Sequence, residues 1–435
     1  MNAPAVSVIV PTRNRASALR RSLDALRAQT YPPERTEVVV VADGCTDETP
    51  EMVRRYPAPF SLRCITQPHG GAGAARNRGA SAAGGTLLVF LDDDVEAAPG
   101  LVAAHVAAQQ RRPGGVVIGR LPPLLGAQRG FFRIALRRWW EAKFDALAMP
   151  GHRFHAFDLL SGNLSLGADL FARTGGFDPS LRCHEDYELG VRLMKLGVPF
   201  HYAPDALGFH HERTDLRRTL RRKFEEGQAD VQIGRRHPDV RRALPMAWLR
   251  PYRSRRSRAL FRLAFTRPAA GDAVAAAAAR ALDLLEQLRF RSRWRRLLDD
   301  LLSYWYWRGV AQELATAHTL ARFLNADGSV PAPEIEVDLR AGIESAQRQV
   351  DEVRPAAVRL RFGPRPVARI LPHPGAEPLR GKHLLPILGT HLARPLLRVM
   401  AQDGTITPPY NVYRLLKFCS VPPRYDLREH GIALD

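Results

Sequence analysis

The sequence has few of the residues that cross-link small domains or bind zinc. Its four cysteines are far apart in the 435 residues and form no Cys-x-x-Cys pair. They are Cys45, Cys64, Cys183 and Cys419. This spacing suggests neither a zinc knuckle nor a disulfide framework, and it fits a reducing compartment.

Long apolar runs are also missing. The longest stretch without a formal charge, Ala97–Gln110, is shorter than the roughly 18 apolar residues that a membrane span requires. The first residues enter a strand-like pattern at once, so we expect no signal peptide. We therefore expect a cytoplasmic protein whose contact with a membrane is peripheral, at the inner face of the cell membrane.

Two common nucleotide-binding motifs are absent. A dinucleotide fingerprint that used Gly71 and Gly73 would need glycine at position 76, where Arg76 stands, and no Gly-x4-Gly-Lys-Ser/Thr loop occurs. A nicotinamide enzyme and a P-loop kinase are therefore disfavoured. The small residues of Gly70–Gly79 still let a ligand approach the backbone, and Arg76 or Arg78 could pair with a diphosphate.

The residues that are present describe a folded protein with an uneven charge. Hydrophobic residues make up 45% and charged residues 25%, and the length predicts two or three domains. The net charge is +20, of which residues 1–210 carry +4 and residues 211–435 carry +16. An arginine-rich genome would explain the scarcity of lysine, but not this asymmetry, which suggests that the second half meets anions.

Apolar runs alternate with helical patterns over the first hundred residues. The predicted strands are Val6–Val10, Glu37–Val41, Ser61–Ile65 and Thr86–Leu91, and the predicted helices are Ala16–Gln29, Pro50–Tyr56 and Ala72–Ala83. This alternation predicts βαβ units and an open, mostly parallel sheet flanked by helices. Ligands bind such sheets at the carboxyl ends of the strands.

Three predicted strands end in polar residues and so indicate one site. These ends are Pro11–Arg15, Asp43–Asp47 and Asp92-Asp93-Asp94. Three adjacent carboxylates raise one another's pKa unless a cation compensates, and Mg²⁺ or Mn²⁺ suits such oxygen ligands. The alternative is a solvated acidic turn. Asp43 could accept hydrogen bonds from a nucleobase or ribose; the alternative is a helix N-cap, which Thr46 or Asp47 fills better.

Two further groups lie downstream. Glu185-Asp186 opens a helix, where acidic residues often only complement the helix dipole, but a carboxylate held there could also act as a general base. His210-His211 follows a predicted strand. Because alternate residues of a strand point to opposite sides, only one of the two could bind a metal at a given site.

The second half is predicted to be basic and mainly helical. Between Arg213 and Arg296 there are 23 basic and 8 acidic residues, and Leu282–Leu302 and Trp305–Leu324 have the pattern of paired amphipathic helices. Pro331-Ala332-Pro333 is typical of a linker, and the remainder mixes one helix near Ala341–Val353 with short strands. We predict a catalytic domain at 1–212, a basic helical extension at 213–330 and a small C-terminal α+β region at 331–435.

Over about residues 4–212, these motifs resemble family 2 glycosyltransferases with the GT-A fold. The nucleotide-side motifs are Val6–Asn14, Val41–Asp47, Gly73–Gly79 and Phe90–Asp94, and the acceptor-side motifs are Ser161–Leu164, Gly175–Asp178 and His184–Leu189. The resemblance implies a metal-dependent enzyme that moves a sugar from a nucleoside-diphosphate sugar to an acceptor hydroxyl with inversion. His184 departs from the family, where small residues are common.

The resemblance also implies a role for each matching residue. Pro11, Thr12 and Arg13 line the nucleotide pocket, Asp43 holds the base, and Arg76 holds the base or the diphosphate. Asp92 lies nearer the ribose, Asp93 lies in the same motif without a firm role of its own, and Asp94 binds Mn²⁺ or Mg²⁺. Asp186 is the general base with Glu185 in support, and His210 is the metal-binding histidine, with His211 as the alternative.

Two rival functions are open at this stage. One is a nucleotidyltransferase of similar architecture, although such enzymes usually start from a Gly-rich and basic signature near the first strand. The other is a basic protein that binds nucleic acid or an anionic membrane; we expect no nucleic acid, because no base-reading motif occurs. The favoured acceptor is a glycan or a lipid-linked molecule in cell-envelope or exopolysaccharide synthesis.

Overall fold

A computed structural model describes residues 5–124, 130–249, 255–325, 333–406 and 432–433. These residues divide into two compact units. The first contains the described parts of Met1–Ala148, His155–Pro238 and Leu244–Ala326, and the second those of Met149–Phe154, Asp239–Ala243 and Asp327–Asp435.

The first unit contains eight strands and thirteen α-helices among its described residues. The strands are β1 (Val6–Thr12), β2 (Thr36–Asp43), β3 (Ser61–Gln67), β4 (Leu87–Leu91), β5 (Val95–Ala97), β6 (Val116–Arg120), β7 (Asn163–Gly167) and β8 (Phe200–His210). The helices are α1 (Ala16–Arg27), α2 (Thr49–Arg54), α3 (Ala72–Ala82), α4 (Leu101–Arg111), α5 (Phe131–Ala148), α6 (Ala168–Thr174), α7 (Glu185–Lys195), α8 (Leu216–Arg236), α9 (Pro245–Trp248), α10 (Arg255–Thr266), α11 (Pro268–Gln287), α12 (Arg291–Leu314) and α13 (Ala317–Asn325).

The eight strands form one sheet in the order β3-β2-β1-β4-β7-β6-β8-β5. Strands β1 to β4 are mutually parallel where they pair, whereas β7 runs antiparallel to both of its neighbours, β4 and β6. The predicted α/β class and mostly parallel sheet are confirmed. The buried runs of β1, β2 and β4 explain why these strands read as continuous apolar segments in the sequence.

Helix α3 lies very close to this sheet. A β-carbon at Gly79 would stand 2.5 Å from Ile9 Cγ2 of β1, so only glycine allows the approach. The helix buries Ala75 and Arg76 on the same side. The close contact therefore carries an arginine into the interior at the carboxyl edge of the sheet.

The basic helical stretch folds differently from the prediction in one respect. The predicted break between Leu302 and Trp305 is wrong, because α12 runs unbroken from Arg291 to Leu314. No glycine or proline stands in that interval, whereas Arg289 and Ala315 adopt positive φ at the actual breaks. Helices α8 and α12 pack against each other through Gly227 and Gly309: a β-carbon at either position would lie closer than 3.0 Å to a carbonyl oxygen of the opposite helix.

The second unit has its own small sheet and core. The sheet order is β12-β11-β10-β9, built from β9 (Glu334–Asp338), β10 (Ala357–Phe362), β11 (Arg365–Ile370) and β12 (Ile432–Ala433). Its helices are α14 (Ile343–Val353), α15 (Gly381–Ile387) and α16 (Ala393–Gln402). The predicted helix near Ala341–Val353 is confirmed as α14, while α15 and α16 were not predicted. Pro331 and Ala332 of the predicted linker lie outside the described residues, and the boundaries at 212 and 330 stay predictions.

None of the helices that the structure describes is long and apolar enough to cross a membrane.

Candidate active site

The carboxyl ends of β1, β2 and β4 lie side by side, because these three strands are neighbours and parallel. Thr12 at the end of β1 donates a hydrogen bond to Asp93 Oδ2 after β4, at 2.7 Å. Pro11 is part of the same strand end, and Arg13 follows it with Nη1 2.8 Å from His69 Nε2. The sequence-predicted residues of the nucleotide side are thus assembled at one edge of the sheet.

Asp43, at the end of β2, is buried and receives four hydrogen bonds from residues 67–71. Gly70 N and Gly71 N donate to its two oxygens at 2.7 and 2.9 Å, while Gln67 and the His69 ring contribute bonds of 2.8 and 2.7 Å. Although burial opposes the charge, these bonds hold the pKa of Asp43 below its usual range. In this state the carboxylate orients the loop that leads into α3.

Arg76 joins the two halves of the site. It is buried, and its guanidinium donates to Asp92 Oδ1 at 2.7 Å and to Glu185 Oε1 at 2.8 Å. Burial disfavours its charge, but the neighbouring carboxylates of Asp92 and Glu185 raise its pKa above that of a free arginine. The structure therefore places Arg76 between carboxylates, with both terminal nitrogens occupied.

The three consecutive aspartates point in different directions. Asp92 faces Arg76, whereas Asp93 turns inward to Thr12 and to Arg15 Nη1, which lies 2.9 Å away. Burial raises the pKa of Asp93 to about 6. Asp94 receives a second hydrogen bond from the same Arg15 nitrogen at 2.8 Å.

His210 reaches Asp94 through the strand register. Val95 pairs with His210 across β5 and β8, and His211 N donates to Asp94 O at 2.9 Å. His210 Nε2 then lies 3.2 Å from Asp94 Oδ1, while His211 Nε2 turns to Glu96 Oε2 at 2.8 Å. The two histidines are separated as the strand alternation predicts, with His210 on the side of the acidic run.

The acid pair of α7 lies at the other side of Arg76. Asp186 Oδ2 accepts hydrogen bonds from Ser161 N at 3.2 Å and Ser161 Oγ at 3.4 Å. Burial and the adjacent Glu185 raise the pKa of Asp186 above that of a free aspartate. A carboxylate with a raised pKa beside the donor-side residues is suited to accept a proton from a hydroxyl.

Some residues of this site were not predicted from the sequence. Arg15 belongs to the polar run after β1, but nothing in that run distinguished it from Arg13. His69 acts through a hydrogen bond to Asp43, and no motif marks it. Ser161 lies in the motif Ser161–Leu164, but its hydrogen bonds to Asp186 were not predicted. Trp140 of α5 packs its ring edge-on against His210, with centroids 5.6 Å apart, and comes from a helix that carries no motif.

The residues present fit a divalent cation only in part. Among the described residues, no group of three or more His, Cys, Asp and Glu side chains is arranged to hold a metal ion. Asp94 and His210 supply one carboxylate and one imidazole, while Glu212 Oε2 lies 3.6 Å from His210 Nδ1, beyond hydrogen-bond distance. Sites with few protein ligands are typical of Mg²⁺ bound with substrate phosphates.

Comparison with known proteins finds similarity over part of this site. Residues 7–157 match the family model described as glycosyl transferase family 2. Validoxylamine A glucosyltransferase of Streptomyces hygroscopicus subsp. limoneus is 37% identical over 239 residues, which cover 48% of this chain and 53% of that protein. Pre-mycofactocin glycosyltransferase of Mycobacterium tuberculosis is 29% identical over 259 residues, covering 56% and 52%. The chain spans about half the length of these curated relatives.

Among solved structures, a mannosyltransferase from Pyrobaculum calidifontis in complex with GDP-Man and Mn²⁺ aligns with a TM-score of 0.48 and 24% identity. The alignment covers 70% of this chain and 86% of that one. The family match over residues 7–157 and the curated relatives show that the part of the chain that carries the donor-side strand ends is similar to family 2 glycosyltransferases.

Proposed function

We propose that this enzyme transfers a sugar, with inversion, from a nucleoside-diphosphate sugar to an acceptor hydroxyl. The donor binds along the carboxyl edge of β1, β2 and β4, with Pro11, Thr12 and Arg13 beside the nucleotide. Asp186 takes the proton of the acceptor hydroxyl, whose oxygen attacks the anomeric carbon from the face opposite the departing diphosphate. Glu185, held by Arg76, keeps the start of α7 at the site.

One observation carries this proposal: Arg76 contacts Asp92 and Glu185 at the same time. Its two ion pairs, 2.7 and 2.8 Å long, tie the acidic run after β4 to the acid pair of α7. The proposed general base, Asp186, therefore lies next to the position that the sugar of a donor bound at the strand ends would occupy. Direct attack by a hydroxyl needs this arrangement.

Asp94 and His210 are the residues that would hold Mn²⁺ or Mg²⁺. When bound, such an ion neutralises the charge of the departing diphosphate. Asp92 lies on the ribose side. Asp93 supports the strand ends through its contacts with Thr12 and Arg15. Asp43 shapes the nucleobase pocket through its hydrogen bonds to residues 67–71.

The test is a panel of UDP-, GDP- and dTDP-glucose and -mannose, with and without Mn²⁺, read first by thermal shift and then by release of nucleoside diphosphate. A donor that binds the folded state raises the melting temperature. Asp186→Asn should bind the same donor but lose most transfer. Asp94→Asn and added chelator should abolish metal-dependent stabilisation by the donor. Full transfer by Asp186→Asn would refute the base assignment, and pyrophosphate release would favour a nucleotidyltransferase.

The acceptor in this proposal is a glycan or lipid-linked molecule of the cell envelope. The two relatives above are named for validoxylamine A and pre-mycofactocin, so an acceptor panel should contain validoxylamine A as well as lipid-linked and polymeric glycans. Transfer to validoxylamine A alone would exclude the cell-envelope role.

We propose in addition that the protein contacts an anionic membrane through the α11–α12 tip, defined as residues 284–296. Leu288 and Phe290 at the turn are 52% and 45% exposed. Five arginines accompany them, at positions 289, 291, 293, 295 and 296, and the Arg293 guanidinium lies 5.1 Å from the centre of the Phe290 ring. Exposed apolar side chains ringed by arginine match the interface of an anionic bilayer in both hydrophobicity and charge.

The tip is tested by flotation with vesicles of phosphatidylglycerol and phosphatidylcholine. Leu288→Ser/Phe290→Ser should lose binding that the wild-type protein shows at low salt. The matched control is Arg217→Ser/Arg221→Ser, which removes two exposed arginines of α8 but no apolar group. Equal loss in both variants would indicate non-specific attraction, and binding to single-stranded DNA that competes with vesicles would indicate a nucleic-acid surface.

A further inference from the structure

The residue before Glu185 and Asp186 has an unusual backbone. His184 caps the start of α7 with φ 59° and ψ 19°, in the left-handed region. For a residue other than glycine this conformation costs on the order of 1–3 kcal/mol, and it persists only where the surrounding structure holds it.

A buried hydrogen-bond network holds His184 in place. Its Nδ1 lies 2.8 Å from Asp230 Oδ1, and the Tyr306 hydroxyl donates to Asp230 Oδ2 at 2.7 Å. All three side chains are buried. Asp230 belongs to α8 and Tyr306 to α12, so the network ties the start of α7 to two helices that follow it in the chain.

The two helices are themselves fixed relative to each other. Gly227 lies three residues before Asp230 and abuts the backbone of Tyr306, while Gly309 lies three residues after Tyr306 and abuts the backbone of Phe224. Because the backbones are this close, neither helix can slide without a clash. The positions of Asp230 and Tyr306 are therefore set by main-chain contact as well as by their hydrogen bond.

His184 also contacts Tyr187, the residue on the other side of Asp186. Its ring stacks on that of Tyr187, with centroids 4.3 Å apart and planes 29° apart. Asp186 thus stands between a residue held by the network and a residue held by His184. On its open side the carboxylate accepts hydrogen bonds from Ser161.

We propose that His184, Asp230 and Tyr306 are positioning residues that aim the Asp186 carboxylate at the acceptor hydroxyl. This inference rests on the proposed role of Asp186 as the base. It assigns helices α8 and α12, which lie beyond the predicted catalytic domain of residues 1–212, a part in the reaction.

The charges around His184 give a second readout. Burial opposes the charge of His184, but Asp230 raises its pKa above that of a free histidine. A charged His184 in turn lowers the pKa of Asp186, against the effects of burial and Glu185. The ionisable groups that face His184 are Asp186 and Tyr187 of α7 and Glu226 and Asp230 of α8. Around them, Arg222 of α8 interacts with Glu226, Cys183, Asp186 and Tyr187, Glu185 with Asp186, and Tyr306 of α12 with Asp230 and Glu226.

The experiment compares Tyr306→Phe with Tyr304→Phe in the full chain. Both changes remove one hydroxyl that donates to a carboxylate, at 2.7 Å to Asp230 and 2.6 Å to Asp272, but only the first belongs to the network. With the glucose or mannose donor that binds in the panel, Tyr306→Phe should lower kcat on the order of tenfold while the donor KM stays within about twofold. Tyr304→Phe should leave both constants at their wild-type values.

His184→Asn supplies the independent check, because asparagine tolerates the left-handed backbone but carries no charge. It should shift the acidic limb of the kcat profile to higher pH. Equal kcat values for the two tyrosine variants, with an unmoved limb in His184→Asn, would overturn the inference while leaving the proposed function intact. An Asp186→Asn variant with full transfer would instead overturn both, so the two failures are distinguishable.

Discussion

Replacing Arg76 with methionine is the change whose consequences the structure defines most closely. The substitution keeps the apolar stem of the side chain and removes both ion pairs. Glu185 is only 12% exposed, so it loses its partner in a poorly hydrated place, whereas Asp92 is 35% exposed and can recover water. Breaking a fully buried pair costs about 3–5 kcal/mol, and we expect a value near the lower end, about 3 kcal/mol, because one partner is part-exposed.

Arg76→Met should also reduce the rate of sugar transfer, by more than partial unfolding of the variant would explain. Without Arg76, the carboxylates of Asp92 and Glu185 no longer share a cation, and the start of α7 is free to move from the strand ends. A displacement of about 1 Å can reduce a rate on the order of 100-fold. Arg76→Lys should fall between wild type and Arg76→Met, since one ammonium group replaces two separate guanidinium nitrogens.

Urea unfolding followed by tryptophan fluorescence measures the stability change, and nucleoside diphosphate release measures transfer. Arg78→Met is the matched control: it is exposed on the same helix and should change stability by less than about 0.5 kcal/mol. Arg76→Met/Glu185→Gln should recover part of the lost stability, because no unpaired buried charge remains. If Arg76→Met unfolds at the wild-type urea concentration, the buried ion pairs do not stabilise the site and the reasoning is refuted.

Two further changes test the scaffold. Burial lowers the pKa of His105 to about 4, below 6.5 in an unfolded chain, so the neutral ring is favoured in the fold and stability should fall as the pH drops from about 6.5 to 4. The free energy of unfolding lost through His105 approaches about 3 kcal/mol. In urea titrations, the stability of His105→Gln should therefore depend less on pH than that of the wild-type protein. The same pH dependence in both proteins would contradict this role of His105. Gly309→Ala would place a β-carbon against the Phe224 carbonyl oxygen and should lower the free energy of unfolding by at least about 1–3 kcal/mol. The control Arg217→Ala, at an exposed position of α8, should lower it by less than about 0.5 kcal/mol. Equal melting curves for the two variants would show that the helices can separate.

The sequence predicts those parts of the fold whose structure depends on a pattern of neighbouring residues. Buried strands such as β4 read as unbroken apolar runs, and α14 follows from its 3.6-residue period. The α11–α12 boundary was missed because it depends on Arg289 taking a positive φ, which no composition rule signals for arginine. Helices α15 and α16 were missed in a proline-rich stretch, where Pro386 lies inside a helix.

The candidate site also contains residues that short-range sequence patterns predict and residues that they do not. The acidic run and Asp43 follow predicted strands, so their convergence follows from parallel strand order. The acid pair opens the predicted helix α7, and only the family resemblance implied that it would lie at the same site. Arg15 was not predicted because its contact depends on which aspartate turns inward. Asp230 and Tyr306 are 46 and 76 residues distant in sequence from the groups they bind, and only the fold brings them together.

The contact between α8 and α12 has a consequence for protein engineering. A designer who exchanges residues 1–212 between relatives, to combine one donor pocket with another acceptor surface, would separate His184 from Asp230. The new partner would have to present a carboxylate at the same depth, on a helix packed with equal closeness. Crossover points for chimeras of this protein should therefore lie beyond α12, so that the helix pair is inherited together with the start of α7 that it contacts.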